Sequence, residues 1–212
     1  MKKSYFISIE GCDGSGKSTQ TKLLADFLEE QGKDVLTTRE PGGSPGADEI
    51  RSLLLTGSVN KWDKITEIFL FSASRREHLI KTIFPALQEG KIVLTDRFFD
   101  STLAYQGYGY GYDEKIVDLV QKTYQIIAGD FQPDLTIILD IDSKLGLSRS
   151  LSRKGNTETR FEDMALTFHQ NVREGFLEIA KQNPQRCVVV DASHSIEAVQ
   201  KEIQRIIQDK LL

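Results

Sequence analysis

An apolar run, Tyr5-Phe6-Ile7-Ser8-Ile9, opens into Gly11-Cys12-Asp13-Gly14-Ser15-Gly16-Lys17-Ser18 and then into an amphipathic stretch from Lys17 to Gln31. The pattern G-x-x-x-x-G-K-[ST], set between a strand and a helix, leaves the backbone little choice. Its glycines let successive N–H groups turn inward around phosphate oxygens, and the positive end of the helix strengthens that field. Lys17 reaches the outer phosphates and the Ser18 hydroxyl can ligate Mg²⁺. The expected nucleotide-binding residues are Gly11, Cys12, Asp13, Gly14, Ser15, Gly16, Lys17, Ser18 and Thr19.

Short β-branched and aliphatic runs alternate with long amphipathic ones down the rest of the chain, the order of parallel strands joined by crossover helices. Strands are predicted over 5–9, 34–38, 91–95, 135–139 and 186–190, and helices over 17–31, 62–88, 113–128, 143–154, 161–182 and 195–212. The segments 39–47, 106–112 and 153–160 carry glycine, proline or polar runs and read as connections. The expected architecture is a three-layer α/β fold with a five-stranded parallel sheet, in one domain of 212 residues.

The composition excludes several classes. No apolar run approaches the roughly 18 residues of a membrane span, and Met1-Lys2-Lys3-Ser4 precedes too short an apolar stretch for a secretory signal, so the cytoplasm is the expected address. A net charge of −4 argues against general nucleic-acid binding, which rests on Lys and Arg neutralising phosphates. Cys12 and Cys187 stand far apart and suggest neither a disulfide nor a zinc site, and His78, His169 and His194 have no metal-ligand spacing.

Asn60-Lys61-Trp62-Asp63 matches the N-K-x-D guanine motif of GTPases, but no apolar strand precedes it and no D-x-x-G switch lies between it and the phosphate loop. It reads as a polar helix start capped by Asn60 or Asp63. Asp96-Arg97, by contrast, follows the apolar strand Ile92 to Leu94 directly, at the carboxyl end of the sheet where open parallel sheets bind ligands. Asp96 can hold Mg²⁺ or its water, and Arg97 can clamp a phosphate with its planar fork. Phe71 and Arg75, spaced i, i+4, share a helix face that offers a ring and a guanidinium, though core packing also accounts for Phe71.

The block Asp96-Arg97-Phe98-Phe99-Asp100-Ser101-Thr102-Leu103-Ala104-Tyr105-Gln106-Gly107 resembles the thymidylate kinase family, whose signature here is D-R-[YH]-x-x-S-x-x-A-Y-Q-G. Thr38-Arg39-Glu40-Pro41-Gly42-Gly43, Phe131-Gln132-Pro133-Asp134-Leu135 and the run from Val190 to Val199 extend the similarity over nearly the whole chain. Phe98 departs from the usual Tyr or His. The resemblance implies that Phe71 stacks on thymine, that Arg75 reaches a thymine oxygen, and that Ser101 and Gln106 lie at the base edge. It further implies Arg39 and Arg97 at the acceptor phosphate, Asp13 at the 3′-hydroxyl, and Tyr105 under the sugar, where a 2′-hydroxyl would be crowded. Homodimers are the family habit.

Residues 149–162 form the place for a lid that excludes water during transfer. The phosphate loop has Ser15 before Gly16 and contains no arginine, and family members of that kind resemble this chain in supplying the arginine from the lid. Arg153 matches it best, Arg149 is a candidate for packing on adenine, and Arg160 is a second candidate for the lid arginine. The expected reaction is ATP plus dTMP giving ADP plus dTDP, with Lys17, Asp96, Arg97 and Arg153 as catalytic residues. The rival readings are a kinase for another monophosphate or a deoxynucleoside, and a regulatory or motor nucleotide hydrolase.

Overall fold

The structure, a computed structural model, describes residues 4–152 and 158–211. Five strands, β1 (Tyr5–Gly11), β2 (Val35–Arg39), β3 (Ile92–Asp96), β4 (Leu135–Asp140) and β5 (Cys187–Asp191), pair in parallel in the order β2-β3-β1-β4-β5. The five-stranded parallel sheet expected from the alternation is thus present. Parallel strands need crossovers, and the helices that make them cover both faces. Alternation along β1 shows the division. Tyr5, Ile7 and Ile9 pack with Leu24 and Leu28 of α1 (Lys17–Glu30) and Val199, Ile203 and Ile207 of α9 (Ile196–Lys210). On the other face Phe6 joins Leu79, Ile83 and Phe98, while Ser8 and Glu10, further along the strand, are buried polar groups. Among the described residues no helix is long and apolar enough to cross a membrane.

Register brings the site together. Arg39 lies opposite Asp96, Ile9 opposite Asp96 on the other side, and Gly11 opposite Leu139. The carboxyl ends of β2, β3 and β1 therefore meet beside the turn into α1, where the strand order reverses.

Five predicted boundaries are corrected. The connection expected over 39–47 ends at Ser44, and its last residues begin α2 (Pro45–Leu55), because proline at the start of a helix forfeits an N–H that would have no intrahelical partner. The helix predicted over 62–88 divides into α3 (Lys64–His78), a wider π turn at Leu79–Ile83, and α4 (Phe84–Gln88). Pro85 has no N–H for a normal i→i−4 bond, which accounts for the wider turn ahead of it. Asp63 caps α3, accepting from the N–H groups of Ile65 and Thr66. The helix predicted from 161 begins later, as α8 (Leu166–Gln182), and the one predicted over 143–154 is α7 (Ser143–Leu151), with 153 and 154 outside the described residues.

The fifth correction is the connection predicted over 106–112, most of which is helix. α5 (Phe99–Thr102) runs on through a π segment, Leu103–Gly109, before α6 (Glu114–Ala128). Its glycines serve packing. A Cβ on Gly109 would stand 2.5 Å from the Phe168 ring, and one on Gly175 of α8 would stand 2.8 Å from Tyr108. Each helix offers a glycine to an aromatic of the other, and Tyr105 packs edge-on against Phe168 and Phe176 across the same seam.

Phe98, the departure from the family pattern, is fully buried among rings, 4.8 Å from Phe6, 6.0 Å from Tyr124 and 6.4 Å from Phe131 between centroids. A phenylalanine there meets apolar neighbours without a hydroxyl to satisfy. Truncation to alanine should cost about 3–5 kcal/mol, read as a lowered urea midpoint with an unchanged denaturant slope.

Candidate active site

A cleft of about 500 Å³ opens at the carboxyl ends of β1, β2 and β3, within the range of small-molecule sites. Asp13, Gly14, Gly16, Lys17, Ser18 and Thr19 line it on one side, and Arg39, Phe71, Arg75, Ser101, Tyr105 and Gln106 on the other, with Asp96, Arg97 and Arg149 between and around them. The phosphate loop is held close to α7: a Cβ on Gly14 would lie 1.9 Å from the Gly146 carbonyl oxygen. Gly16, in left-handed geometry at φ 96°, starts α1. Lys17 is buried and its Nζ donates to the Cys12 carbonyl at 2.8 Å. Burial and the nearby Arg97 charge push its pKa below that of an ordinary lysine. Burial pushes the Cys12 thiol up to about 12.

One guanidinium joins the two sides. Arg97 Nη2 donates to Asp13 Oδ1 at 2.6 Å and to the Tyr105 hydroxyl at 2.9 Å, and that hydroxyl donates to Asp13 Oδ2 at 2.8 Å. Arg97 Nη1 donates to the Gly11 carbonyl and to Ser101 Oγ. The backbone of Arg97 adopts φ 72°, a left-handed geometry a β-bearing residue reaches only at a cost. Burial alone would raise the pKa of Asp13, but the Arg97 and Lys17 charges hold its carboxyl well below the usual carboxylate range. Burial would lower the pKa of Arg97, yet Tyr105 and Asp13 raise it.

Behind this cluster Glu10 accepts from the Phe98 N–H at 2.7 Å and from the Ser101 hydroxyl at 2.6 Å. On the acceptor side, Arg75 Nε donates to Glu40 at 2.7 Å, and its Nη2 donates to the Phe98 carbonyl and to Thr102 Oγ1. Nη1 is left without a hydrogen bond to the described residues. His78, fully buried, bridges Glu40 and Thr38 behind Arg75 rather than facing the cleft. Phe71 is half-buried at the cleft wall, 6.1 Å from Phe161, so it serves wall and core together.

Ser18 Oγ donates to Asp96 Oδ2 at 2.5 Å. Among the described residues no cluster of three or more His, Cys, Asp or Glu gathers for a metal. Two adjacent hard oxygens beside a phosphate loop nevertheless fit Mg²⁺, which takes few protein ligands and fills its octahedron with phosphates and water.

Arg149 is exposed at the last turn of α7, with Nη1 3.3 Å from the Ala192 carbonyl. Arg153 lies outside the described residues. Arg160 is not placed as a free lid arginine. It is 1% exposed and donates to the carbonyls of Leu54, Ser58 and Val59 and to Glu67. Arg51 pairs in bidentate fashion with Glu158 nearby. Sequence reasoning passed over Glu10, Glu40 and Glu67. Glu67 stands four residues before Phe71 and eight before Arg75, so the i, i+4 spacing that selects those two extends to it.

The thymidylate kinase family model matches residues 9–203. The chain is 51% identical over 206 residues to a thymidylate kinase of Jannaschia sp., covering 97% of each chain, and 45% identical over 211 residues to one of Caulobacter vibrioides, covering 100% of this chain and 99% of that one. The crystal structure of a thymidylate kinase from Ehrlichia chaffeensis superposes with a TM-score of 0.77 at 39% identity, covering 97% of this chain and 99% of that one.

Burial, reinforced by the Asp100 charge, raises the pKa of Glu10 from 4.5 to about 7. A carboxyl raised on folding stabilises the fold fully below its unfolded value, and this contribution is lost as pH rises through its folded one. Unfolding free energy should therefore fall between about 4.5 and about 7, and Glu10→Gln should flatten that slope in urea titrations. Asp13, shifted the other way, acts at lower pH and outside this window.

Proposed function

The chain belongs to the thymidylate kinase family and phosphorylates dTMP to dTDP on the route to dTTP, and we propose that ATP is the donor, Mg²⁺ the accompanying ion, and the cleft above the site of transfer. The observation that carries the reading is the Asp13–Arg97–Tyr105 cluster, which joins the phosphate loop to the wall bearing Phe71, Arg75, Ser101 and Gln106. One side holds a triphosphate and the other a nucleotide with its phosphate aimed inward.

In this assignment residues 11–19 cradle the ATP phosphates, Lys17 meets the outer ones, and Arg149 packs on the adenine. Arg39 and Arg97 hold the acceptor phosphate, Asp13 receives the 3′-hydroxyl, and Tyr105 lies under the sugar. Phe71 stacks on the base, with Arg75, Ser101 and Gln106 around its edge. Ser18 and Asp96 would hold Mg²⁺, which neutralises charge on the phosphates. Catalysis is then positioning and charge stabilisation, since a loose phosphoryl transition state asks little covalent chemistry of a protein. Arg153 adds the positive group that the phosphate loop lacks, from a lid at about 149–162 within a single domain.

A cytoplasmic homodimer acting on small nucleotides, without nucleic-acid or membrane partners, completes the proposal. Exposed Ile65 and Phe69 on one face of α3 and Ile126 on the neighbouring α6 support an apolar contact with a second copy.

ADP release across a panel of nucleoside monophosphates and deoxynucleosides is the direct test: turnover stoichiometric with dTMP is expected, whereas slow hydrolysis independent of any acceptor points to a regulatory nucleotide hydrolase. Lys17→Met should abolish transfer while leaving dTMP affinity within a few-fold, read by calorimetry. Arg153→Ala should lower kcat by at least about 100-fold with little change in either KM, because a supplied arginine acts mainly in the transition state. A loss under about three-fold would mark a solvated charge.

A further inference from the structure

Gln106 is 1% exposed on the cleft wall, and its amide oxygen Oε1 is buried without a hydrogen-bond partner among the described residues. Its Nε2 donates to Glu67 Oε2 at 3.2 Å. Glu67 is fully buried behind that wall, and Arg160, a permanently charged group 1% exposed, donates to its other oxygen. A carboxylate offers only acceptors, so one orientation of the Gln106 amide is permitted: NH₂ toward Glu67, and the oxygen turned away from it, on a residue that lines the cleft. That oxygen is the kind of buried, unsatisfied acceptor that calls for a donor from a ligand.

We propose that Glu67 and Arg160 are positioning residues for base selection, which fix the Gln106 amide so that its oxygen accepts from the N3–H of thymine and repels the N3 lone pair of cytosine. The proposal rests on the placement of Gln106 at the base edge under the functional reading above. Thymine and uracil carry a donor at N3 and cytosine carries an acceptor, so a single amide orientation separates the two classes. An amide free to turn would serve either. Glu67 removes that freedom, and Arg160 holds Glu67 through a guanidinium already anchored on the carbonyls of Leu54, Ser58 and Val59 at 3.2, 3.0 and 2.9 Å. The anchor lies on the connection between α2 and α3, away from the phosphate loop.

A bland role for the pair, holding the α2–α3 connection in place, predicts that breaking it weakens every acceptor alike. Calorimetric affinities for dTMP and dCMP separate the two. Glu67→Gln supplies a side chain that can both donate and accept, so the Gln106 amide can turn. The dTMP-over-dCMP affinity ratio should then narrow by about tenfold or more, the scale of a buried hydrogen bond to a fixed partner. Any penalty that Arg75 imposes on the cytosine amino group is common to both proteins and cancels. Equal weakening of both nucleotides would overturn the proposal. Gln106→Ala is the control on the underlying reading: an unchanged ratio there removes Gln106 from the base edge, whereas a narrowed ratio there with none in Glu67→Gln rejects the positioning pair alone. The unmodified protein gives an answer even if Glu67→Gln does not fold. The Gln106 side-chain NH₂ protons, followed by NMR, should stay protected from exchange when dTMP saturates the cleft, and loss of that protection on binding would show the amide turning its NH₂ to the base.

Discussion

Arg97 donates at once to Asp13, Tyr105, Ser101 and the Gly11 carbonyl, and the rest of the cleft takes its shape from that guanidinium. A planar fork can satisfy several acceptors in fixed directions, which an ammonium cannot. To place the fork there, the chain leaves β3 and turns through left-handed geometry at Arg97 itself. Glu10 supports the turn from beneath by accepting the next backbone N–H, that of Phe98, and the hydroxyl of Ser101. Strain in the backbone is thus offset by charge-assisted hydrogen bonds in a poorly solvated place, where such bonds are strong.

The central strand carries this gradient in its own sequence. On one face Tyr5, Ile7 and Ile9 are apolar from end to end. On the other, Phe6, Ser8 and Glu10 pass from hydrocarbon to hydroxyl to carboxyl as the strand nears the cleft. Ser8 shares a hydrogen bond of 2.8 Å with Thr136, and Asp100 nearby takes a bidentate pair from Arg186. The same sheet face is core at its amino end and support for the site at its carboxyl end.

What could be read from the sequence was what local pattern encodes. The phosphate loop, the five strands and the Asp96-Arg97 step each depend on residues within one short window. What escaped depends on distant partners. Gly107 and Gly109 read as turn residues because a sequence window cannot show Val117 and Phe168 approaching them from other helices. Pro45 and Gly46 read as breakers, although proline is at home where α2 begins. Arg160 read as a lid cation because nothing beside it in the chain reveals the carbonyls of Leu54, Ser58 and Val59 that enclose it. Glu67 carries no signal of its own in the sequence, and only the fold brings it behind Gln106.

The seam between α8 and the helix bearing Tyr105 has a consequence for how such a chain can change over evolutionary time. Gly109 makes room for Phe168, and Gly175 makes room for Tyr108, so volume is exchanged reciprocally between two segments more than fifty residues apart. A larger residue at either glycine requires a smaller one at its aromatic partner, and Phe168 is also a ring against which Tyr105 packs. Positions 108 and 175, and 109 and 168, should therefore vary as linked pairs among descendants of this sequence, inheriting each other's constraints although no reacting atom touches them.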